Sequence, residues 1–241
     1  MTGVPDESLP AGASTLALDN VERAVPCELA PQDTLVHISA GTLPDPRRAV
    51  FDRLLTALRC LYDESEATQA FIPWPGDLEW VERDPANLPV ASHVGNWLET
   101  GADTAATVHR AISEAAAHAD WRLTYTEEEV GAHFLENYGY FELFGPDGHY
   151  HTREGRAYVA YWGPGLVYDW HHHEAEELYV IISGSGRFHL DGGADAVLKR
   201  GDTRLHGSWQ KHAMTTGEQP ILTFVLWRGA GLEGLPKMGK G

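Results

Sequence analysis

The chain has 241 residues, 43% of them hydrophobic, a content typical of a protein that buries a core. Its 35 acidic and 18 basic side chains give a net charge of −17 at pH 7, which argues against nucleic acid or an anionic membrane surface as a partner. No apolar run approaches membrane-spanning length, and the first residues lack the basic start and apolar core of a signal peptide. We therefore expect a cytoplasmic protein.

The first half of the chain predicts a tail followed by helices. Residues 1–30 are rich in proline, glycine, serine and acidic residues, a composition typical of a flexible N-terminal arm. One helix is predicted to begin at Asp45-Pro46, because aspartate caps a helix and proline fits its first turn. A second helix is predicted over residues 104–119. A third is predicted over residues 126–137, where Thr126 and Glu129 have the spacing of a capping box.

From Tyr138 onward the pattern changes to short runs of aromatic and β-branched residues between glycine, proline and aspartate clusters. We predict a mainly β protein of one domain, in which a helical region, residues 31–137, packs onto a β-barrel, residues 138–241. The predicted strands are Tyr138–Phe144, Arg156–Trp162, Leu166–His173, Glu177–Ser183, Gly186–Asp191, Ala196–Leu198, Asp202–His206, His212–Thr215 and Ile221–Trp227.

A stretch rich in histidine, Gly165 to Gly184, carries the chemistry. His171 and His173 are two residues apart on a predicted strand and therefore point to the same face. Glu177 begins the next apolar run after a short turn. Two imidazoles and a carboxylate form most of a divalent metal site with mixed nitrogen and oxygen ligands. His212, on a later strand, is the candidate for the missing ligand.

These stretches resemble the cupin superfamily, which implies a jelly-roll β-barrel. The first stretch fits the family's opening motif at every fixed position. The second keeps the spacing from Gly201 to His212 but departs from the motif elsewhere. In particular, Trp209 stands where cupins usually have glycine. A site of three histidines and one carboxylate leaves coordination positions open, which favours catalysis over a closed structural role.

Two tyrosines are candidates for catalysis beside this site. Tyr179 shares a strand face with Glu177, and a neighbouring divalent cation favours its phenolate, so that it can act as a general base. Tyr168 lies three residues before His171, and strict alternation puts it on the opposite face. A β-bulge near Pro164-Gly165 would be needed to bring it to the metal.

Aromatic residues flank the site, and aromatic faces attract soft cations such as sulfonium groups. A closer resemblance fits this composition: residues 158–232 look like the bacterial cupin dimethylsulfoniopropionate (DMSP) lyases of the DddL and DddQ types. The shared runs are Trp170–Tyr179, Gly201–His206, His212–Thr216 and Leu222–Leu232. The flanking aromatic residues are Tyr161, Trp162, Tyr168, Trp170, Trp209, Phe224 and Trp227.

The resemblance implies a metal-dependent lyase that cleaves DMSP to acrylate and dimethyl sulfide by base-catalysed β-elimination. It implies that His171, His173, Glu177 and His212 are metal ligands and that Tyr179 and Tyr168 flank the substrate, with Tyr179 favoured as the base.

Two other functions remain open from the sequence. One is a cupin dioxygenase that uses iron(II) and oxygen on a small carboxylate, and the other is a cupin that binds a small carboxylate without catalysis. The metal also stays open, because Fe, Zn, Mn, Co and Ni all accept this ligand set. The oligomeric state is open as well, with a homodimer as one option.

Overall fold

A computed structural model describes residues 45–239, and the predicted arm at residues 1–30 lies outside this range. Helices occupy most of the first part of the described chain. They are α1 Pro46–Asp63, α2 Glu66–Phe71, α3 Pro89–Gly95, α4 Thr104–Ala115 with a 3-10 turn at Ala116–His118, α5 Glu127–Val130 and α6 Ala132–Glu136. None of the helices within residues 45–239 has the length and apolar character needed to cross a membrane.

The predicted helix starts are confirmed, but the third predicted helix is interrupted. The Asp45 side chain accepts a hydrogen bond from the backbone N–H of Arg47 and caps α1, with Pro46 in the first turn. The capping box of α5 forms, since the Glu129 carboxylate accepts from the Thr126 backbone N–H at 2.9 Å. Gly131 then adopts a positive φ of 80°, which ends α5 and starts α6 in a new direction.

All nine predicted strands are found, with two pairs of them joined, and three two-residue strands, Glu79–Trp80, Tyr150–His151 and Lys237–Met238, were not predicted. Predicted strands Glu177–Ser183 and Gly186–Asp191 form one strand, and so do His212–Thr215 and Ile221–Trp227. In chain order the strands are β1 Glu79–Trp80, β2 Tyr138–Gly145, β3 Tyr150–His151, β4 Arg156–Trp162, β5 Val167–His172, β6 Glu176–Leu190, β7 Ala196–Lys199, β8 Thr203–His206, β9 His212–Arg228 and β10 Lys237–Met238.

The two long strands, β6 and β9, pass from one layer of the barrel to the other. The first half of β6 lies between β8 and the end of β9, and β4 and β2 continue that layer. The second half of β6 lies between β7 and the start of β9, and β5 and β10 continue the other layer. The register of β6 shifts beside Gly184, where the strand bends. The predicted barrel with a packed helical region is confirmed.

Alternate residues of β6 serve two separate apolar clusters. Leu178, Val180 and Ile182 pack in the cluster that joins α1, α3 and α4 to the outside of the barrel. Tyr179 and Ile181 point into the second cluster, inside the barrel. The predicted division of this strand into two faces is therefore confirmed. The helices cover one face of the sheet, and the other face is left for the site.

A β-bulge in β5 places Tyr168 inside the barrel. Tyr168 pairs with Met214, and His171 pairs with His212. Between these pairs β5 has two residues and β9 has one. Tyr168 and His171 are both buried, whereas Asp169 is exposed. The bulge that the sequence analysis required does exist, but it follows Tyr168 instead of lying near Pro164-Gly165.

Candidate metal centre

Three predicted ligands converge inside the barrel: His173 just after β5, Glu177 near the start of β6 and His212 at the start of β9. One ligand atom from each lies within 4.8 Å of the others, and all three residues are buried. Glu177 Oε2 is 3.3 Å from His173 Nε2 and 3.2 Å from His212 Nε2. These residues can hold a metal ion, because imidazole nitrogen and carboxylate oxygen are the usual ligands of divalent transition metals.

Backbone carbonyls orient the histidine rings. His171 Nδ1 lies 2.8 Å from the Asp169 oxygen, His173 Nδ1 2.8 Å from the Ala175 oxygen, and His212 Nδ1 2.9 Å from the Gln210 oxygen. A carbonyl only accepts hydrogen bonds, so each Nδ1 donates, and Nε2 is the ring nitrogen left to bind a metal. The Nε2 atoms of His173 and His212 are buried without a hydrogen-bond partner. A metal ion would supply the partner that these two atoms lack.

His171, the fourth predicted ligand, lies beside this group of three but is not part of it. Its ring centroid is 4.1 Å from that of His212 in an edge-on contact, and its ring stacks on Tyr168 at 3.9 Å. Burial, with His212 as a further cause, places the pKa of His171 well below its ordinary value. His171 is therefore a neutral imidazole close to the centre.

The carboxylate of Glu177 is ionised despite its burial. Burial raises the pKa of Glu177, but interactions with His173, His206 and His212 outweigh it and hold the pKa well below its usual range. Burial alone would lower the pKa of His173, but the nearby Glu177 carboxylate outweighs burial, so that the pKa of His173 is raised. The group thus provides the negative charge and the nitrogen donors that attract a cation.

Two contacts of Glu177 were not predicted from the sequence. His206 Nδ1 lies 2.9 Å from Glu177 Oε2, and Trp227 Nε1 donates to Glu177 Oε1 at 2.8 Å. Burial lowers the pKa of His206 to about 4, so that its ring is neutral. The sequence placed both residues on predicted strands, but their proximity to Glu177 depends on cross-strand register, which local spacing does not reveal.

A pocket lined mainly by aromatic side chains opens beside Glu177. Tyr179 and Tyr168 both line it, with Tyr179 two residues after Glu177 on the same strand face. The Tyr168 hydroxyl lies 2.8 Å from the hydroxyl of Tyr125, a contact that the sequence analysis did not anticipate. The remaining lining residues are Thr124, Tyr138, Tyr140, Tyr158, Ala160, Trp162, Val225, Trp227, Leu235 and Pro236.

The flanking aromatic residues of the sequence analysis separate into three groups. Trp162, Tyr168 and Trp227 line the pocket as expected. Tyr161 and Phe224 point to the opposite face of the sheet and pack under the helices. Trp170 and Trp209 lie outside the pocket, and Trp209 is 50% exposed.

The turn before His212 explains the position of Trp209. Among the described non-glycine residues Trp209 alone has a positive φ, 60°, a conformation that glycine adopts most easily. The Trp209 backbone N–H donates to the His173 oxygen at 2.8 Å. The turn therefore keeps the geometry that glycine usually provides, and it holds His173 beside His212.

The segment after β9 closes one side of the pocket. Leu235 and Pro236 line it, and β10 pairs with β5 at His171 and His172. Arg156, which forms a buried ion pair with Glu142, donates to the backbone oxygen of Leu232. The site is therefore built from both barrel layers and from this last segment.

Burial suppresses the ionisation of the two candidate tyrosines. It raises the pKa of Tyr179 well above the ordinary value, and the carboxylate of Glu177 adds to the effect. It raises the pKa of Tyr168 as well, with Tyr125 and Tyr138 as further causes. Each phenol is a neutral O–H unless a cation lies close to it.

One family model and two curated proteins are similar to this chain in sequence. A family model described as dimethylsulfoniopropionate lyase matches residues 75–223. The dimethylsulfoniopropionate lyase DddQ of Ruegeria pomeroyi is 33% identical over 192 residues, which covers 78% of this chain and 92% of that protein. A putative dimethylsulfoniopropionate lyase DddL of Cereibacter sphaeroides is 28% identical over 152 residues, covering 62% of this chain and 63% of that protein.

Solved structures agree with the sequence comparisons. A chain from the crystal structures of the DMSP lyases RdDddP and RnDddQII superposes with a TM-score of 0.78 and 45% identity, covering 80% of this chain and 100% of that chain. The crystal structure of DMSP lyase DddQ from Ruegeria pomeroyi DSS-3 gives a TM-score of 0.75 at 32% identity, covering 80% and 98%.

Proposed function

The chain belongs to the dimethylsulfoniopropionate lyase family, and from this premise we propose that it cleaves DMSP to acrylate and dimethyl sulfide with the help of one divalent transition metal ion. The observation that carries the proposal is the group His173, Glu177 and His212, with two orphaned Nε2 atoms, at the end of an aromatic pocket. His171 is the fourth proposed ligand. Fe, Zn, Mn, Co and Ni all suit these ligands.

The pocket suits both ends of DMSP. The substrate has a carboxylate at one end and a dimethylsulfonium group at the other. None of the described residues that line the pocket is lysine or arginine, so the substrate carboxylate has no basic side chain to bind there. A metal ion held by His173, Glu177 and His212 would supply Lewis acidity toward the substrate carboxylate and would so acidify the adjacent C–H bond. The faces of Tyr158, Trp162 and Trp227 hold the sulfonium by cation–π attraction.

Tyr179 removes the α-proton in this proposal. Burial and the Glu177 carboxylate both oppose its ionisation, so the base role requires a cation close to the phenol oxygen. The phenolate takes the proton from the carbon next to the carboxylate. The electron pair of that C–H bond becomes the C=C bond of acrylate, and the β C–S bond breaks with its electrons on sulfur. Sulfonium leaves as neutral dimethyl sulfide and loses its attraction to the aromatic faces.

Tyr168 supports the same step by contacting His171 and lining the pocket. Its ring stacks on His171 at 3.9 Å, and its hydroxyl lies 2.8 Å from that of Tyr125. It therefore holds His171 on one side and lines the pocket on the other. Tyr168 is the second candidate for the base.

A paired assay tests the proposal. Metal-loaded protein is incubated with DMSP while headspace dimethyl sulfide, dissolved acrylate and dissolved oxygen are followed together. We expect equal amounts of acrylate and dimethyl sulfide and no loss of oxygen. Consumption of oxygen would favour the dioxygenase instead, and absence of both products with metal bound would refute the lyase.

The remaining proposals concern the whole protein. We infer that the helical region and the barrel work as one domain, because α1, α3 and α4 share a core with the outer face of β6. We also propose a cytoplasmic location, the absence of a nucleic-acid partner and a homodimeric state. Light scattering coupled to size exclusion tests the last of these.

A further inference from the structure

Glu177 occupies the middle of a row of three side chains across three neighbouring strands. In β8 its cross-strand partner is His206, and in β9 its partner is Trp227. Directly opposed residues on adjacent strands point to the same face of the sheet. His206, Glu177 and Trp227 therefore all face the barrel interior, and all three are buried.

The two flanking residues contact different oxygens of the carboxylate. His206 Nδ1 lies 2.9 Å from Oε2, and Trp227 Nε1 lies 2.8 Å from Oε1. Oε2 is also the oxygen that faces His173 Nε2 and His212 Nε2. Trp227 holds a second member of the centre as well, since its ring stacks on that of His173 at 4.3 Å.

We propose that His206 and Trp227 are positioning residues that hold the Glu177 carboxylate so that Oε2 alone faces the metal. His206 sets the direction of Oε2 and thereby the affinity for the metal. Trp227 keeps Oε1 away from the metal and thereby keeps a coordination position free for the carboxylate of a substrate. The inference rests on the metal centre of the proposed function and adds how that centre is kept open.

The burial of His206 supports a specific role for its Nδ1. The side chain is 0% exposed and stacks on His212 at 3.9 Å between ring centroids. Its other nitrogen, Nε2, is buried without a hydrogen-bond partner, which costs free energy that an apolar residue of similar size would avoid. The contact with Glu177 is therefore the one polar interaction among the described residues that this imidazole makes.

Substitutions at His206 test the first half of the proposal. In His206→Asn the amide nitrogen takes the place of Nδ1, whereas His206→Leu has no donor. The control is His149→Leu, which removes a buried imidazole that stacks on Phe51 in the helical region. The affinity for Zn²⁺ alone is measured by competition with a chelating dye. We expect His206→Leu to bind Zn²⁺ about 10–100-fold more weakly than wild type, the usual effect of losing a residue that orients a ligand.

The conservative variant decides whether the donor matters. We expect His206→Asn and His149→Leu to bind Zn²⁺ within about threefold of wild type. An Asn variant as weak as the Leu variant would overturn the role of Nδ1, and so would a Leu variant that matches the control. Where His206→Leu does not fold, His206→Gln replaces it, because its longer side chain carries the amide nitrogen to the position of Nε2. Equal affinity in the Asn and Gln variants would again overturn the role.

Two tryptophans of the same pocket test the second half. Trp227→Phe and Trp162→Phe each remove one indole N–H, but the N–H of Trp162 has no hydrogen-bond partner. Both variants are loaded with Co²⁺, and acetate is titrated while the visible d–d absorption is recorded. We expect acetate to bind about 10-fold more weakly to Trp227→Phe than to Trp162→Phe, because the freed Oε1 competes for the open position. Equal affinities would refute the role of Trp227.

The design separates this inference from the function on which it rests. If wild-type protein binds neither Zn²⁺ nor Co²⁺, the metal centre itself fails and the inference fails with it. If the wild type binds both and the variants match their controls, only the roles of His206 and Trp227 fail. Neither titration uses DMSP, so the identity of the substrate does not affect the result.

Discussion

At the scale of single residues, the hydroxyl of Tyr179 is the group on which the proposed chemistry depends most. Tyr179→Phe keeps the buried ring, which packs 5.4 Å from Phe188 and 6.1 Å from Trp162, and removes only the hydroxyl. We expect metal content to be unchanged and kcat to fall about 10²–10⁴-fold, the usual contribution of a positioned base. Steady-state kinetics with metal analysis measure both.

Tyr138→Phe is the matched control for this experiment. Tyr138 also lines the pocket, and its hydroxyl is hydrogen-bonded to that of Thr124 at 2.9 Å. We expect this variant to keep kcat within about 10-fold of wild type. If Tyr179→Phe matched the control, the hydroxyl would be a packing feature and Tyr168 would become the candidate base.

The histidines of the centre give a second prediction. His173→Ala and His212→Ala each delete a nitrogen with no other partner, so we expect the purified variants to carry little metal and to be inactive. The barrel keeps its own apolar core, and the circular dichroism spectrum is expected to stay that of wild type. His189→Ala, which removes a partly exposed histidine paired with Asp195, is the control. Full metal occupancy in either variant would remove that residue from the ligand set.

Most of the site could be read from residue spacing. The alternation of one strand predicted that Glu177 and Tyr179 share a face, and the incomplete ligand set required a further ligand from another strand, for which His212 was the candidate. His206 and Trp227 could not be predicted as partners of Glu177, since three strands must first align in register. Tyr125 lies 43 positions from Tyr168 and outside any helix or strand, so nothing local connects the two.

At the scale of elements, Gly184 lets the long strand β6 bend between the two layers. Its φ is +74°, and a Cβ atom here would lie 1.8 Å from the backbone oxygen of Pro220. Gly192 has nearly the same φ, +72°, with no atom within 4 Å of the corresponding position. Comparing alanine variants at Gly184 and Gly192 therefore separates the free-energy cost of a positive φ from the free-energy cost of a steric clash.

We expect Gly184→Ala to lose more stability than Gly192→Ala. The positive φ costs about 1–2 kcal/mol in each variant, and the clash with Pro220 adds about 1–3 kcal/mol at Gly184 alone, by analogy with overpacked cores. Urea denaturation of both variants measures the free energy of unfolding. Equal losses of stability in the two variants would mean that the backbone at Pro220 shifts at no cost in free energy.

Glycine also explains where the prediction of elements was wrong. The predicted strands left gaps at residues 184–185 and 216–220, which contain Gly184 and Gly217, but β6 and β9 continue through both. The sequence reveals that the chain departs from regular extension at these points. Whether it turns back or bends onward is decided by the neighbouring strands.

At the scale of the whole molecule, buried neutral histidines make stability depend on pH. His149 is buried between the barrel and the helical region, where it stacks on Phe51 and Trp80, and burial lowers its pKa to about 3. Asp120 opposes this shift and Arg83 supports it. In the unfolded chain the histidine has its ordinary pKa of about 6.5. The folded state therefore binds fewer protons between these values, and stability falls as pH decreases from 6.5 toward 3.

The expected loss from His149 is about 2 kcal/mol between pH 7 and pH 5. Urea denaturation at pH 7, 6 and 5, in the presence of a chelator, measures it without contributions from metal binding. His149→Leu removes the titrating group, so we expect the variant to lose about 2 kcal/mol less over this range than wild type does. An identical pH dependence in both proteins would contradict the assignment.

The packing of helices on the barrel could be predicted only in outline. The apolar faces of α1, α4 and β6 each needed a packing partner. All three faces pack in the same apolar cluster. Which face of the sheet the helices would cover did not follow from either pattern. In the structure the helices cover the face of Leu178, Val180 and Ile182, and Glu177 and Tyr179 lie on the opposite face.

The bulge in β5 bears on how the chain length of this strand can vary in evolution. Deleting one residue at Asp169 or Trp170 would restore regular pairing and leave Tyr168 opposite Met214 and His171 opposite His212. Such a deletion keeps both side chains inward, although His171 loses its contact with the Asp169 carbonyl. Deleting His172 would instead turn His173 outward, because side chains alternate with a period of two. We therefore expect a gap at the bulge, unlike a gap between the histidines, to leave His171 and His173 both facing inward.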